Sequence, residues 1–251
     1  MYRKIFKSKT MNEIKELFYE SDKFSTKFEK YFDVYELLFK KFKEKNITFV
    51  EVGVLNGGSL EIWKNYFGKN SRIIGIDINS ECKKFEKDNI EIFIGDQSKN
   101  EFWEKFYREV GKVDILLDDG GHTNLQQIST VFNSVKNIND DGFIIVEDIH
   151  SSYMEQFGNP QKFSFINFSK RNIDDLNFKF PNFSNLKNSL NDYIYSIQYF
   201  ESIVVYHINK KKSYMNSEIY NNENLPKEID DIRFEKSLFN NLNKNKFIKK
   251  N

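Results

Sequence analysis

The amino-acid sequence predicts an α/β protein, with a wound parallel sheet closed by an antiparallel hairpin and covered at its N-terminal side by helices. Three observations predict this. Short β-branched runs alternate with helical stretches between residues 47 and 148. Two further apolar runs, YIYSIQYF (193–200) and IVVYHIN (203–209), are separated only by Glu201 and Ser202, a link short enough to require an antiparallel pair. Before residue 47, aromatic residues recur at helical rather than strand spacing.

Residues 11–45 read as helical, with Phe28, Phe32, Tyr35, Leu38, Phe39 and Phe42 forming one apolar face that covers a sheet. ITFVEVG (47–53) is the first buried strand and GSLEIWKNYF (58–67) its helix. RIIGID (72–77) is the second strand, followed by a short polar helix to about Asp88, and IEIFIGD (90–96) is the third. A helix covers about 99–109, and VDILLDD (113–119) is the fourth strand. Residues 123–137 are helical, with Leu125, Ile128, Val131, Phe132 and Val135 on one face, and GFIIVED (142–148) is the fifth strand. Strands that alternate with helices imply right-handed crossovers and a parallel sheet. The expected organisation is a single domain over 1–251: a helical cover (1–46), a Rossmann-like core (47–210) with a lid insertion at about 150–192, and a polar tail (211–251) with one helix after Pro226.

Bulk properties exclude several function classes. Lys plus Arg is 38 and Asp plus Glu is 37, so no global charge points to nucleic acid or an anionic membrane. The single cysteine, Cys82, rules out an internal disulfide framework. The start lacks the continuous apolar stretch of a signal peptide, and runs such as FIIV (143–146) are too short to cross a bilayer. The expectation is a cytoplasmic protein with a small-molecule substrate, no nucleic-acid or membrane partner, and room for homo-oligomerisation.

In an open parallel sheet, ligands sit beyond the carboxyl ends of the strands. The first strand leads into Glu51-Val52-Gly53-Val54-Leu55-Asn56-Gly57-Gly58-Ser59, where glycines let the backbone approach a ligand and turn into a helix. The spacing is not G-x-G-x-x-G, which argues against a dinucleotide fingerprint. Asp77 ends the second strand and suits two ribose hydroxyls; Asp96 and Gln97 end the third and suit an adenine edge. Each acid alone serves equally well as a helix N-cap. Together they match the S-adenosylmethionine site of class I methyltransferases, whose sheet also has five parallel units and a closing hairpin.

The fourth strand ends Asp118-Asp119-Gly120-Gly121-His122 and the fifth ends Glu147-Asp148-Ile149-His150. Carboxylates converging in one crevice repel unless protonated or neutralised, and a hard divalent cation, Mg²⁺ or Mn²⁺, would resolve the conflict. Asp118 alternates with Asp119 and is expected to face solvent or cap the next helix. His122, three residues after Asp119, is a candidate general base. His150 reads equally as a substrate contact or a loop histidine, and Tyr153 as a second weak substrate candidate; His207 reads as structural.

VEVGVLNGGSLEIW, LLDDGGH and VEDIHSSY together resemble the metal-dependent sugar O-methyltransferases, which act on deoxysugars of macrolide antibiotics and on bacterial capsular sugars. The resemblance covers about residues 21–155. It implies that Asp119, Glu147 and Asp148 bind Mg²⁺ and that His122 is the base. It also implies that Glu51, Gly53, Asp77, Asp96 and Gln97 hold S-adenosylmethionine; Gly57, Ser59 and Asp118 are further candidates on the cofactor side. Ser21-Asp22-Lys23 resembles a family stretch near the active site, but its histidine-rich continuation is replaced by FSTKFEKYF, which leaves the acceptor sugar open. The macrolide enzymes carry an additional N-terminal domain that this chain is not expected to hold.

The expected reaction is in-line methyl transfer to a sugar hydroxyl, with a nucleotide-activated sugar of surface polysaccharide synthesis as the favoured acceptor. Three rivals stand beside it. A catechol-type methyltransferase also presents a diol to a metal, but its metal set typically ends Asp-Asn, where this chain has Glu147-Asp148. A non-catalytic adenosyl-binding protein would not need both acidic strand ends and His122. An iron-dependent hydroxylase would need a facial triad, which His122, Asp119 and His150 could supply.

Overall fold

The computed structural model describes residues 12–87, 89–177 and 190–213, together with Asn221 and Ile229. The chain divides into two units, Met1–Met215 and Asn216–Asn251, and every described element of secondary structure lies in the first. The helix expected after Pro226 lies outside the described residues.

Seven strands, β1 (Thr48–Val52), β2 (Arg72–Asp77), β3 (Ile90–Ile94), β4 (Val113–Asp118), β5 (Ile138–Val146), β6 (Ile194–Phe200) and β7 (Ile203–Ile208), form one sheet in the order β3-β2-β1-β4-β5-β7-β6. The first five run parallel, and β7 pairs antiparallel with both β5 and β6. The chain winds outward from β1 to β3 and returns to β4 beside β1, so the order reverses between β1 and β4. A crevice opens at such a point, beyond the carboxyl ends of the strands.

Side-chain alternation sorts the sheet into two apolar faces. Phe49, Ile73, Ile115, Leu117, Phe143 and Ile145 face α1 (Glu13–Glu20), α2 (Tyr31–Phe39) and α3 (Gly58–Phe67). Val50, Val52, Ile74, Ile76, Leu116, Ile144 and Val146 face α4 (Asn100–Val110), α5 (Asn124–Ser134) and α6 (Phe165–Asn177). The alternation continues past the strand ends. Glu51, Asp119 and Glu147 share parity with the first face, while Asp118 belongs to the second.

Four expectations need correction. The N-terminal helix is not continuous: residues 21–30 break it, and Phe28 lies exposed in that break. On α5, Leu125 and Phe132 are exposed, and the buried face is Gln127, Ser129, Thr130, Val131 and Ser134. That face is polar because it meets polar strand-end groups; Gln127 Nε2, for example, donates to the Glu147 carbonyl at 2.9 Å. The fifth strand begins at Ile138 and ends at Val146, leaving Glu147 and Asp148 in the turn beyond it. Within the expected lid, α6 buries Phe165 and Ile166 and packs on α5 and β6, so this part is a layer of the fold; 178–189 lie outside the described residues.

Candidate active site

Three backbone hydrogen bonds extend the ladder beyond the strands and bring their ends into one row. Gly53 N donates to Ile76 O at 2.8 Å, Asp119 N to Val52 O at 3.0 Å and Glu147 N to Asp118 O at 2.9 Å. The glycine at position 53 is required twice over. Its φ is +96°, and an added Cβ would fall on the Asp119 carbonyl, 2.8 Å from its carbon. A cavity of about 490 Å³ opens over this row, with Gly53, Ser59, Asp77, Asp96, Asp119, His122 and Asp148 among its lining residues.

On one side of the cavity, Asp77 Oδ2 accepts from Val54 N (2.9 Å) and Leu55 N (3.2 Å), and Oδ1 accepts from Asn79 N (2.8 Å). Partial burial opposes the charge, but these backbone donors win and hold its carboxyl below the usual range. The acid thus closes the glycine turn while remaining half-buried at the cavity. Asp96 is held ionised by the backbone N–H of Ser98, to which Oδ1 accepts at 2.8 Å; it does not cap α4, whose N-cap is Lys99.

Gln97 and Asp118 differ from expectation. Asp118 is fully buried, neither solvent-facing nor a helix cap. It accepts from Gln97 Nε2 at 2.9 and 3.1 Å and from Gly120 N at 3.2 Å, while Gln97 Oε1 accepts from Gly121 N at 3.0 Å. The two side chains brace the Asp119–His122 turn from the far side of the sheet, so the Gln97 amide is already engaged. Burial pushes the Asp118 carboxyl up. Glu51 is likewise fully buried and accepts from Ser59 Oγ at 2.6 Å. Glu51, Gly57 and Asp118 therefore stand behind the cavity wall rather than on it.

On the other side lie Asp119, His122 and Asp148. His122 Nε2 is 3.8 Å from Asp119 Oδ1 and 3.4 Å from Asp148 Oδ2, and one ligand atom from each residue lies within 4.8 Å of the other two. His122 (φ +57°) and Asp148 (φ +53°) both adopt the left-handed region, rare outside glycine and common at functional turns. Tyr31 OH donates to Asp148 Oδ1 at 2.5 Å. His122 Nδ1 is buried without a hydrogen-bond partner. His150 pairs instead with Ser202 Oγ and lies edge-on to Phe28, and Tyr153 is exposed; neither lines the cavity.

Sequence reasoning missed Lys27. Its ammonium lies 2.6 Å from Asp119 Oδ2, 2.9 Å from Glu147 Oε2 and 3.6 Å from Glu51 Oε1, with only 5% of the side chain exposed. Burial opposes its charge, but Asp119, Glu147 and Glu51 outweigh burial and raise its pKa well above the ordinary value. Tyr35 also donates to Glu147 Oε1. One ammonium is too little for three acids. Burial pushes the Glu51 carboxyl up to about 7 and that of Glu147 to about 8. The signal lay in the sequence: Lys27 interrupts the apolar positions Phe24, Phe28 and Tyr31, just after the Ser21-Asp22-Lys23 stretch.

The strand order, the switch-point crevice and the closing hairpin define a Rossmann-like class I methyltransferase fold. Among solved structures, the chain is similar to the MycE methyltransferase of the mycinamycin biosynthetic pathway, in complex with Mg, SAH and mycinamycin VI. That match has a TM-score of 0.71 and 21% identity, covering 84% of this chain and 57% of that one.

No family model matches the chain. Among curated relatives, it is 29% identical over 156 residues to 8-demethyl-8-alpha-L-rhamnosyl tetracenomycin-C 2'-O-methyltransferase of Streptomyces olivaceus, covering 58% of this chain and 41% of that protein. It is 29% identical over 140 residues to mycinamicin VI 2''-O-methyltransferase of Micromonospora griseorubida, covering 52% and 35%. The chain thus spans only about two fifths or less of the length of these relatives. The resemblance drawn from the three motifs is borne out by them. Among the described residues, no helix is long and apolar enough to cross a membrane.

Proposed function

We propose that the chain is an S-adenosylmethionine-dependent O-methyltransferase that uses a divalent ion and methylates a sugar hydroxyl. The observation that carries this reading is the meeting of two half-sites in one crevice. The glycine turn closed by Asp77 stands on one side, and Asp119, His122 and Asp148 on the other. The adenosyl group fits the first half: Gly53 leaves the wall without a side chain, and Asp77 Oδ1, with a single backbone donor, has room for a ribose hydroxyl. Bound there, S-adenosylmethionine supplies an electrophilic sulfonium methyl.

The second half fits a hard cation. Its donors are mostly carboxylate oxygens, and a cation, the Lys27 ammonium, already stands against two of the acids. Asp119 and Asp148 would hold Mg²⁺ or Mn²⁺ with Glu147 as a third ligand, and the ion would acidify an acceptor hydroxyl and fix its orientation. His122 Nε2 opens between Asp119 and Asp148 and takes the hydroxyl proton as the methyl transfers. To accept at Nε2 the ring must carry its proton on the buried Nδ1, where no hydrogen-bond partner holds it.

The sugar acceptor is supported by the relatives, whose names specify O-methylation of rhamnosyl tetracenomycin and mycinamicin VI. FSTKFEKYF, in place of the histidine-rich segment of the macrolide enzymes, leaves the acceptor sugar open; we favour a nucleotide-activated sugar for capsular or other surface polysaccharide, which fits a chain whose described residues hold no helix long and apolar enough to cross a membrane. The test is transfer from methyl-labelled S-adenosylmethionine, with Mg²⁺, to nucleotide sugars, macrolide glycosides and catechols. Label in a sugar supports the reading. Turnover of catechols alone, or iron- and 2-oxoglutarate-dependent hydroxylation, would replace it.

A further inference from the structure

We propose that Lys27 is a resident counter-ion of the metal site, so that a divalent ion held by Asp119 and Glu147 together and the docked 21–30 loop exclude one another. The inference rests on the metal reading above and goes beyond it by assigning a competitor within the chain.

The geometry carries the argument. Lys27 Nζ is in hydrogen-bond contact with Asp119 Oδ2 and Glu147 Oε2, which are two of the three expected metal ligands. Oxygen ligands hold Mg²⁺ at about 2.0–2.1 Å. An ion bridging Asp119 and Glu147 would therefore crowd the ammonium, with both charges shielded from water. Only the opposite edge, where Asp119 Oδ1, Asp148 Oδ2 and His122 Nε2 converge, is free of it. A second observation is a buried acid left over beside the ammonium. Glu51 is fully buried, and its Oε1 points toward Nζ at 3.6 Å without a hydrogen-bond partner.

Lys27 is also an anchor. It lies in the break between α1 and α2, which supplies Phe24 through Phe28 to the cavity wall. Elsewhere the break makes ion pairs on its more exposed side, Lys23 with Glu61 at 2.6 Å, Glu29 with Lys15 and Lys30 with Glu201, where each pair contributes little. Withdrawal of Lys27 from the acids would release its buried pairing with Asp119, Glu147 and Glu51 together. Metal entry should therefore loosen this wall, and the docked wall should weaken metal binding.

The experiment uses the full chain, with Mn²⁺ as the probe. Amide hydrogen exchange of residues 21–30 is followed with and without Mn²⁺, and Mn²⁺ affinity is measured by calorimetry for the wild type and Lys27→Met. The expected results are faster exchange in 21–30 when Mn²⁺ is added and at least tenfold tighter Mn²⁺ binding by Lys27→Met. Unchanged or slower exchange overturns the proposal, as does equal or weaker binding by the variant, or no Mn²⁺ binding by either protein. The exchange measurement needs only the wild type, so the test stands even if Lys27→Met does not fold. Binding of S-adenosylhomocysteine to the same samples reports on the methyl-donor reading separately.

Discussion

Replacing Gly53 by alanine tests the claim that the ends of β1 and β4 meet at a backbone-to-backbone contact on the cavity floor. The new Cβ would land on the Asp119 carbonyl, 2.8 Å from its carbon and 3.2 Å from Gly120 Cα. These are backbone atoms pinned by the ladder, not the yielding ends of side chains. Two costs follow. A left-handed φ in a residue with a Cβ costs about 1–2 kcal/mol. Forcing extra volume into a packed site costs about 1–3 kcal/mol. The sum is about 2–5 kcal/mol, which for a chain of this size is a fall in Tm of about 4–20 °C. Gly111→Ala is the control, because Gly111 has φ +80° with nothing within 4 Å of its added Cβ. It carries the backbone cost alone, about 1–3 kcal/mol, because its ψ of −153° places it in a region open essentially to glycine. Thermal unfolding and calorimetric titration with S-adenosylhomocysteine read both variants. Gly53→Ala should lose more stability than Gly111→Ala and also weaken the ligand, whereas Gly111→Ala should bind normally. Equal losses in the two variants, with binding intact in both, would refute the close approach.

Two further outcomes follow from the same geometry. Glu51 and Glu147 have carboxyls pushed up to about 7 and about 8 from the ordinary 4.5, so between these values the folded chain binds more protons than the unfolded one. Stability linked to them is complete below about pH 4.5 and lost as pH rises to about 8. The Tm of the metal-free protein should therefore fall from pH 5 to pH 8, with a shallower fall for Glu51→Gln; a flat or rising profile would contradict the assignment. His122→Ala should lower methyl transfer by about 10²–10⁴-fold while leaving affinity for S-adenosylhomocysteine within about twofold, since a general base acts on the acceptor and not on the donor. An equal loss of binding would make His122 structural instead.

The parallel core was legible because its strands are short, β-branched and separated by helices, and because acids at strand ends have few structural reasons to cluster. The first and second strands, the closing hairpin and the positions of the chain turns around Gly53 and Asp119 could be read from local pattern. What local pattern does not carry is pairing across the fold. Asp118 alternates away from Asp119 as its parity requires, but its burial depends on Gln97 and Thr130 arriving from other elements to satisfy it. The same need for partners places Gln127 and Thr130, not Leu125 and Phe132, on the inner face of α5. Lys27 escaped because helical periodicity over 11–45 concealed the break at 21–30. Its role appears only when the sheet stacks Glu51, Asp119 and Glu147 on the face that α2 covers.

The central claim, that this crevice binds the methyl donor, is tested most directly by calorimetric titration of S-adenosylhomocysteine into the wild type and Asp77→Ala. Asp77 accepts three backbone N–H groups and faces the cavity, so its removal opens the glycine turn and takes away the ribose acceptor together. Saturable binding by the wild type, weakened at least tenfold in Asp77→Ala, is the expected result. A wild type that binds no S-adenosylhomocysteine, or a variant that binds it equally well, would contradict the account.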